Sequence, residues 1–360
     1  MARKAPDPTC TIPARPPILP TVEVFQLVTP ALLVDAGALD HNLATMAAAL
    51  PGSRLRPHVK AHKSTALARR QAEAGHPGFT CATPREVRGM VEAGLGDDLL
   101  LANEVVDLEL LSHLGTLARS GARITVAVDS EETIAAAAEA RIPEVLIDVN
   151  VGLPRCGCAP EAAGRLAETA RRRGLAVRGV MGYEGHAVGL EDRGTRTETV
   201  EASMELLSAA HREVGGEVVS AGGTGSYDIN TVATEIQAGS YVLMDTAYAK
   251  LALPFRNALS ILATVVSVSA GGWAVADAGL KALGMDHGNP SIEGMEVWYC
   301  SDEHVCFAPP AGSEEPLPRV GDRISILPAH IDPTVAYHEK MHLVSGDTVL
   351  ETWPVDLRGW

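Results

Sequence analysis

The sequence predicts an α/β protein, a (β/α)8 barrel followed by a C-terminal all-β domain. Three observations carry this. Between about residues 29 and 244, short apolar runs alternate with Ala- and Leu-rich helical stretches, some eight or nine times. Past Leu253-Pro254 the helical periodicity stops, and short strand patterns alternate with Gly-Gly, Asn-Pro, Pro-Pro and Gly-Asp turns. The length, 360 residues, suits two domains or one large barrel with an attachment.

The apolar runs of the first region fall at residues 31–34, 55–59, 78–81, 99–102, 124–128, 145–149, 177–181, 218–221 and 241–244. Helical stretches between them include 39–50, 64–74, 84–93, 131–140 and 160–173. Buried strands alternating with amphipathic helices imply right-handed βαβ units around a parallel sheet. Their number favours a closed barrel over an open doubly wound sheet. The later strands are expected at 259–268, 273–276, 294–299, 304–307, 322–327 and 349–351. Three parts follow: an extended leader at 1–27 that could pair with the β domain, the barrel at 28–253, and the β domain at 254–360.

Composition narrows the function classes. A net charge of −15 argues against a polyanionic partner such as nucleic acid. No apolar run reaches the roughly 20 residues that cross a bilayer, so no membrane partner is expected. Residues 1–20 are proline-rich and lack the apolar core of a signal peptide. The six cysteines are scattered, with one C-x-C at Cys156 and Cys158. Reduced thiols and a cytoplasmic setting are the expectation.

The candidate chemistry lies at strand ends. In Leu55-Arg-Pro-His-Val-Lys-Ala-His-Lys63, His58 and Lys60 project from one face, toward the barrel mouth. A lysine among apolar walls tends to lose its proton, as a Schiff-base amine must; a surface lysine is the competing reading. Arg155 follows another strand through a Gly/Pro loop and can donate to an anionic oxygen. Tyr183 offers a flat face, and His186 acid–base capacity. Ser220-Ala-Gly-Gly-Thr-Gly-Ser-Tyr227 is a Gly-rich turn whose N–H groups, with Thr224 and Ser226, suit an oxyanion. Gln237-Ala-Gly-Ser-Tyr241 is a second donor set, placed before the last strand. His330 and Asp332 share one side of an extended segment and offer an N/O pair for a divalent cation. His304, His338 and His342 are nearby in sequence.

Seven motifs then follow one another in order. They are Thr29-Pro-Ala-Leu-Leu-Val-Asp35, Arg56-Pro-His-Val-Lys-Ala-His-Lys63, Tyr183-Glu-Gly-His186, Ala221-Gly-Gly-Thr-Gly225, Gln237-Ala-Gly-Ser-Tyr241, Asp277-Ala-Gly-Leu-Lys281 and Pro328-Ala-His-Ile-Asp-Pro-Thr334. In these the chain resembles the D-threonine aldolase and D-serine dehydratase family, with its alanine-racemase-like fold. The resemblance spans about residues 28–355.

The resemblance implies a pyridoxal 5′-phosphate enzyme that forms a homodimer with active sites near the interface. Lys60 matches the Schiff-base lysine, and Arg155 the arginine beside the cofactor's phenolic oxygen. Gly223, Thr224, Gly239 and Ser240 match phosphate-binding loops. Tyr183, Gln237 and Tyr241 fall near the cofactor. His330 and Asp332 match the metal pair. The dehydratase branch usually has a cysteine where this chain has Asp332. An aspartate points to the aldolase branch and to manganese before magnesium, cobalt or zinc. One departure is His304-Val305, where the family pattern has a histidine followed by glycine.

The expected activity is reversible cleavage of D-threonine-like 3-hydroxy amino acids to glycine and an aldehyde. His186 or a metal-linked water is the expected base for the β-hydroxyl. The alternative is a dehydratase of D-serine or 3-hydroxyaspartate. A racemase fits less well because it has no use for the H-x-D pair, and a non-catalytic cofactor-binding protein because it is typically a barrel alone, without so large a β domain.

Overall fold

The computed structural model describes residues 22–360. The expected leader therefore lies mostly outside the described residues. Its last part, Val22–Glu23, pairs antiparallel with Thr348 and Val349.

The barrel is present. Seven parallel strands run in chain order: Phe79–Cys81, Leu99–Leu101, Ile124–Val128, Glu144–Asp148, Ala176–Gly182, Val218–Ala221 and Glu235–Ile236. The ring closes through residues 55–58. Leu55 bridges Ile236 on one side and His58 bridges Thr80 on the other, both in parallel sense. Residues 55–58 thus form the eighth stave, and they carry the chain directly to Lys60.

The helices begin where their caps allow. Thr83, Ser130 and Asp192 each accept a bond from the backbone N–H three residues on. Apolar side chains from both layers fill one continuous core that includes Leu67, Met90, Leu101, Val126, Ile147 and Leu207. The barrel's lower end carries charge. Arg56 Nε lies 2.7 Å from Glu235 Oε1, and Arg178 Nη1 lies 3.0 Å from Asp98 Oδ1. Buried ions persist only when paired in this way.

Two apolar runs behave differently from the sequence reading. The run at 31–34 is not a barrel strand. Ala31–Asp35 pairs antiparallel with Leu259–Val268 and parallel with Lys340–Ser345, so it belongs to the other sheet. A four-residue apolar run is buried equally well in either sheet, so the pattern could not assign it. The run at 241–244 is not a strand either. Ser240–Val242 is a 3-10 turn, and Met244 N–H bonds the Ser240 carbonyl. The last barrel strand is the two-residue Glu235–Ile236, so the Gln237–Tyr241 motif follows that strand. This places it on a loop at the C-terminal mouth, where barrel sites form.

The second sheet is mixed and ten-stranded. All six late strands expected from sequence fall within it, at Leu259–Val268, Ala274–Ala276, Glu296–Cys300, Val305–Ala308, Arg323–Leu327 and Thr348–Pro354. This region is not purely β, because helix Ile331–Tyr337 interrupts it. His330 is the N-cap and Asp332 lies in the first turn, so neither sits on an extended segment beyond the cap. Proline is tolerated in a first turn, and an aspartate there meets the positive end of the helix dipole. Asp332 and Pro333 therefore start a helix where the sequence reading had an extended segment carrying His330 and Asp332.

Candidate active site

Lys60 sits in the 3-10 turn Val59–Ala61, immediately past the closing stave. It faces a cavity of about 710 Å3 at the barrel mouth. Arg155, Tyr183, Gly223, Thr224, Gln237, Gly239, Ser240, His330 and Asp332 line the same cavity. Ten of the twelve residues given catalytic, cofactor or metal roles with the resemblance therefore converge, from both sheets.

The two others do not. His186 is exposed and is not on the cavity wall. Its ring lies against Gly152, where an added Cβ would come within 2.8 Å of it. The turn after Gly182 directs Glu184 inward and His186 outward. Tyr241 is fully buried, with its ring against Phe255. Its hydroxyl accepts a bond from Gln71 Nε2 at 3.0 Å, and Gln71 in turn meets His62 at 3.1 Å. The Tyr241 side chain is thus part of the core, and its backbone N–H serves the site by donating to Thr224 Oγ1 at 2.9 Å.

Two basic side chains reach the Tyr183 ring. Lys60 Nζ is 5.8 Å from its ring centroid and Arg155 Cζ is 5.4 Å away. Burial, with Glu184 and Asp332 nearby, pushes its phenol up to about 12, so it stays protonated. His58 is held well below its usual range, first by burial and then by Lys60. It is a neutral neighbour, and its Nδ1 accepts from Lys60 N–H at 3.4 Å.

The Gly-rich turn is built around Glu184, a carboxylate with no exposed surface. Glu184 accepts from Gly222 N–H at 3.1 Å, Ser226 Oγ at 2.7 Å and Asn230 Nδ2 at 3.3 Å. Ser226 Oγ accepts from Gly223 N–H at 3.1 Å. Two glycines are required by close approach. A Cβ at Gly225 would lie 1.8 Å from the Val188 carbonyl, and one at Gly239 would lie 2.7 Å from the His58 carbonyl. These contacts bring two loops and the Lys60 turn together. Because Thr224 Oγ1 accepts from Tyr241, its own proton is free to donate into the cavity. With Ser240 opposite, the loops fit a phosphate.

The metal pair has further company. His330 Nε2 lies 3.7 Å from Asp332 Oδ2. Two bonds of about 2.1 Å to one ion can span that gap. On the other side, His330 Nδ1 lies 2.6 Å from Asp286 Oδ2. The His287 ring stacks on His330 at 3.9 Å and 6°. Asp286, His287 and His330 form a potential metal-ligating cluster. The donor set is imidazole and carboxylate without thiolate, which fits a divalent ion of the manganese-to-zinc range. The sequence reading missed Asp286 and His287; the Asp-His-Gly-Asn-Pro turn at 286–290 was the available signal. It also missed Tyr248, a half-buried residue on the cavity wall whose phenol is pushed up by burial and by Tyr183. His304 lies outside the cavity, in the turn between Glu296–Cys300 and Val305–Ala308.

Residues 34–246 match the family described as alanine racemase, N-terminal domain, and residues 258–344 match the putative serine dehydratase domain. The chain belongs to the alanine racemase N-terminal domain family. Within it, the chain is 33% identical to a 3-hydroxy-D-aspartate aldolase of Paracoccus denitrificans (strain Pd 1222), covering 95% of each chain. It is 33% identical to a D-threonine aldolase of an Arthrobacter species, covering 96% of each. A crystal structure of D-threonine aldolase from Filomicrobium marinum superposes with a TM-score of 0.89 at 35% identity, over 97% of this chain and 99% of that one. The family resemblance drawn from seven motifs is therefore correct, as are the alanine-racemase-like fold and the assignment to lyases. No helix among the described residues is long and apolar enough to cross a membrane.

Proposed function

We propose that this chain is a pyridoxal-phosphate- and divalent-metal-dependent D-threonine aldolase, cleaving D-threonine reversibly to glycine and an aldehyde. One observation carries the reading: Lys60 from the barrel and His330 with Asp332 from the C-terminal region face a single cavity. A racemase or a cofactor carrier has no use for that pair.

When bound, the cofactor supplies an electron sink for the charge left at Cα, and a divalent ion supplies Lewis acidity at the β-hydroxyl. The chain's own residues do the rest. Lys60 is the amine that would hold the cofactor covalently. His58, being neutral, adds no second positive charge beside it. Tyr183 presents its ring face and keeps its proton. Arg155 supplies a fixed positive charge in the same cavity. Thr224 and Ser240, with Gly223 and Gly239, would hold the phosphate, and Gln237 is anchored by its bond to Ser220 Oγ at 2.9 Å. His330 and Asp332 would hold the ion, preferably manganese, with magnesium, cobalt or zinc as substitutes.

His287, which unlike His186 is on the cavity wall, is the base for the β-hydroxyl in this reading, with a metal-linked water as the alternative. Imidazole is well suited to moving protons at neutral pH. Asp286 Oδ2, 3.9 Å from His287 Nε2, would stabilise the ring once it has taken the hydroxyl proton. A homodimer and a cytoplasmic setting complete the reading. The first follows from the family resemblance, the second from the free thiols of Cys81, Cys156, Cys158, Cys300 and Cys306.

The test is to assay purified protein with D- and L-threonine, with and without manganese, measuring glycine and ammonia. Glycine from the D-isomer alone, dependent on metal, is expected. Ammonia as the main product would replace this reading with a D-serine or 3-hydroxyaspartate dehydratase. Lys60→Ala should no longer be fixed to the cofactor by borohydride; retained fixation would move the role to another lysine, Lys63 first.

A further inference from the structure

We infer that the site selects D-3-hydroxy amino acids with an uncharged side chain, and that Glu191 is the residue that turns away a side-chain carboxylate. This rests on the aldolase reading and deepens it.

Apart from the positions given to cofactor and metal, much of the wall is apolar or small: Val188, Gly189, Ala247 and Leu251. Among the described residues one further cation lines the cavity, Lys250, and it is not free. Its Nζ lies 3.6 Å from Glu191 Oε1. The two residues come from different parts of the chain. Glu191 ends the loop after strand Ala176–Gly182, and Lys250 caps helix Thr246–Ala249.

Both attachments are fixed from below. Arg196 is fully buried, and its Nη1 bonds the carbonyls of Leu190 and Glu191. Asp245 caps the short helix and accepts from Ile331 N–H at 3.1 Å, which ties that helix to the metal-bearing turn. Glu191 and Lys250 therefore meet on the wall of the same cavity that His330 and Asp332 line.

Charge then decides between side chains. D-threonine arrives as a zwitterion with no net charge. A 3-hydroxyaspartate carries one extra negative charge. Against it stands Glu191, which already engages Lys250 at 3.6 Å. The chain's net charge of −15 adds a field that opposes capture of anions and leaves zwitterions unaffected.

The experiment measures kcat/KM for D-threonine and 3-hydroxy-D-aspartate with the cofactor- and manganese-loaded wild type, Glu191→Gln and Lys250→Gln. The wild type should favour D-threonine by about tenfold or more. Glu191→Gln frees Lys250 and should shift the ratio toward 3-hydroxy-D-aspartate by about tenfold. Lys250→Gln should shift it the other way. Opposite movements from two exposed residues cannot come from a folding defect. A wild type that prefers 3-hydroxy-D-aspartate, or a ratio unmoved in both variants, overturns the inference and leaves the aldolase reading standing. Glycine from neither substrate overturns the aldolase reading and this inference with it.

Discussion

Nδ1 of His330 stands 2.6 Å from a carboxylate oxygen of Asp286. With that bond made, the imidazole proton is on Nδ1, and the lone pair on Nε2 points toward Asp332. A carboxylate behind a histidine in this way fixes its tautomer and raises its basicity toward a metal.

Asp286→Asn should therefore weaken the metal while leaving the proposed pair, His330 and Asp332, in place. The expected loss of affinity is about 10- to 100-fold. Manganese titration of the variant, followed by electron paramagnetic resonance, reads this independently of turnover. Unchanged affinity would show that Asp286 does not orient His330.

The two histidines near the site have opposite expectations. His287→Ala should lower kcat by about 10^2 or more, the range of a lost general base. His186→Ala should cost only a few-fold, since its ring faces outward against Gly152. The comparison needs both variants at saturating manganese, because His287 also stacks on His330. A large loss in His186→Ala alone would return the base to that residue.

Much of the site was legible because barrel sites gather at strand ends, and residues that follow strands can be found by pattern. Lys60, Arg155, Tyr183 and Thr224 all follow such a strand or stave. Two kinds of feature were not legible. Tyr241 looks like any motif tyrosine, yet its side chain joins a buried polar chain with Gln71 and His62. That arrangement depends on a helix 170 residues earlier in the chain. Asp286 and His287 lie on a loop between strands, where no period marks them, and only the fold brings them to His330. The strand Ala31–Asp35 shows the same limit: its burial was evident, but not the sheet that buries it.

That polar chain gives a pH dependence. His62 is completely buried and its Nδ1 accepts from Ser64 N–H at 3.2 Å, so Nε2–H donates to Gln71. Burial lowers its pKa from 6.5 to about 4. Between those values the unfolded chain binds a proton there and the folded chain does not. Stability therefore rises with pH through this window and falls as pH drops from 6.5 toward 4. Fully expressed, a shift of this size corresponds to about 3 kcal/mol. His62→Gln should flatten the dependence of Tm on pH between 4 and 6.5. His58, also lowered by burial, acts in the same direction, so the slope should diminish without vanishing. An unaltered slope would mean that His62 is not the group responsible.

The last prediction concerns the choice of metal. Asp332 supplies an anionic oxygen from the first turn of helix Ile331–Tyr337, 3.7 Å from His330 Nε2. A cysteine at the same place would supply a thiolate, a softer donor that favours zinc over manganese-like ions. Both are negative when bound, so metal should be retained in Asp332→Cys. Manganese activation should weaken while zinc supports a larger share of the remaining turnover. The reaction itself need not change. Breaking the Cα–Cβ bond depends on how the hydroxyl is oriented relative to the plane of the cofactor, and the walls that set this, Tyr183, Val188 and Tyr248, are untouched by the substitution. Glycine release from D-threonine should therefore be lowered but detectable, with little ammonia. Measuring both products across a manganese and zinc series separates the cases. Ammonia replacing glycine in the variant would show that the ligand atom alone directs which bond breaks, and manganese dependence equal to that of the wild type would show that Asp332 is not a ligand.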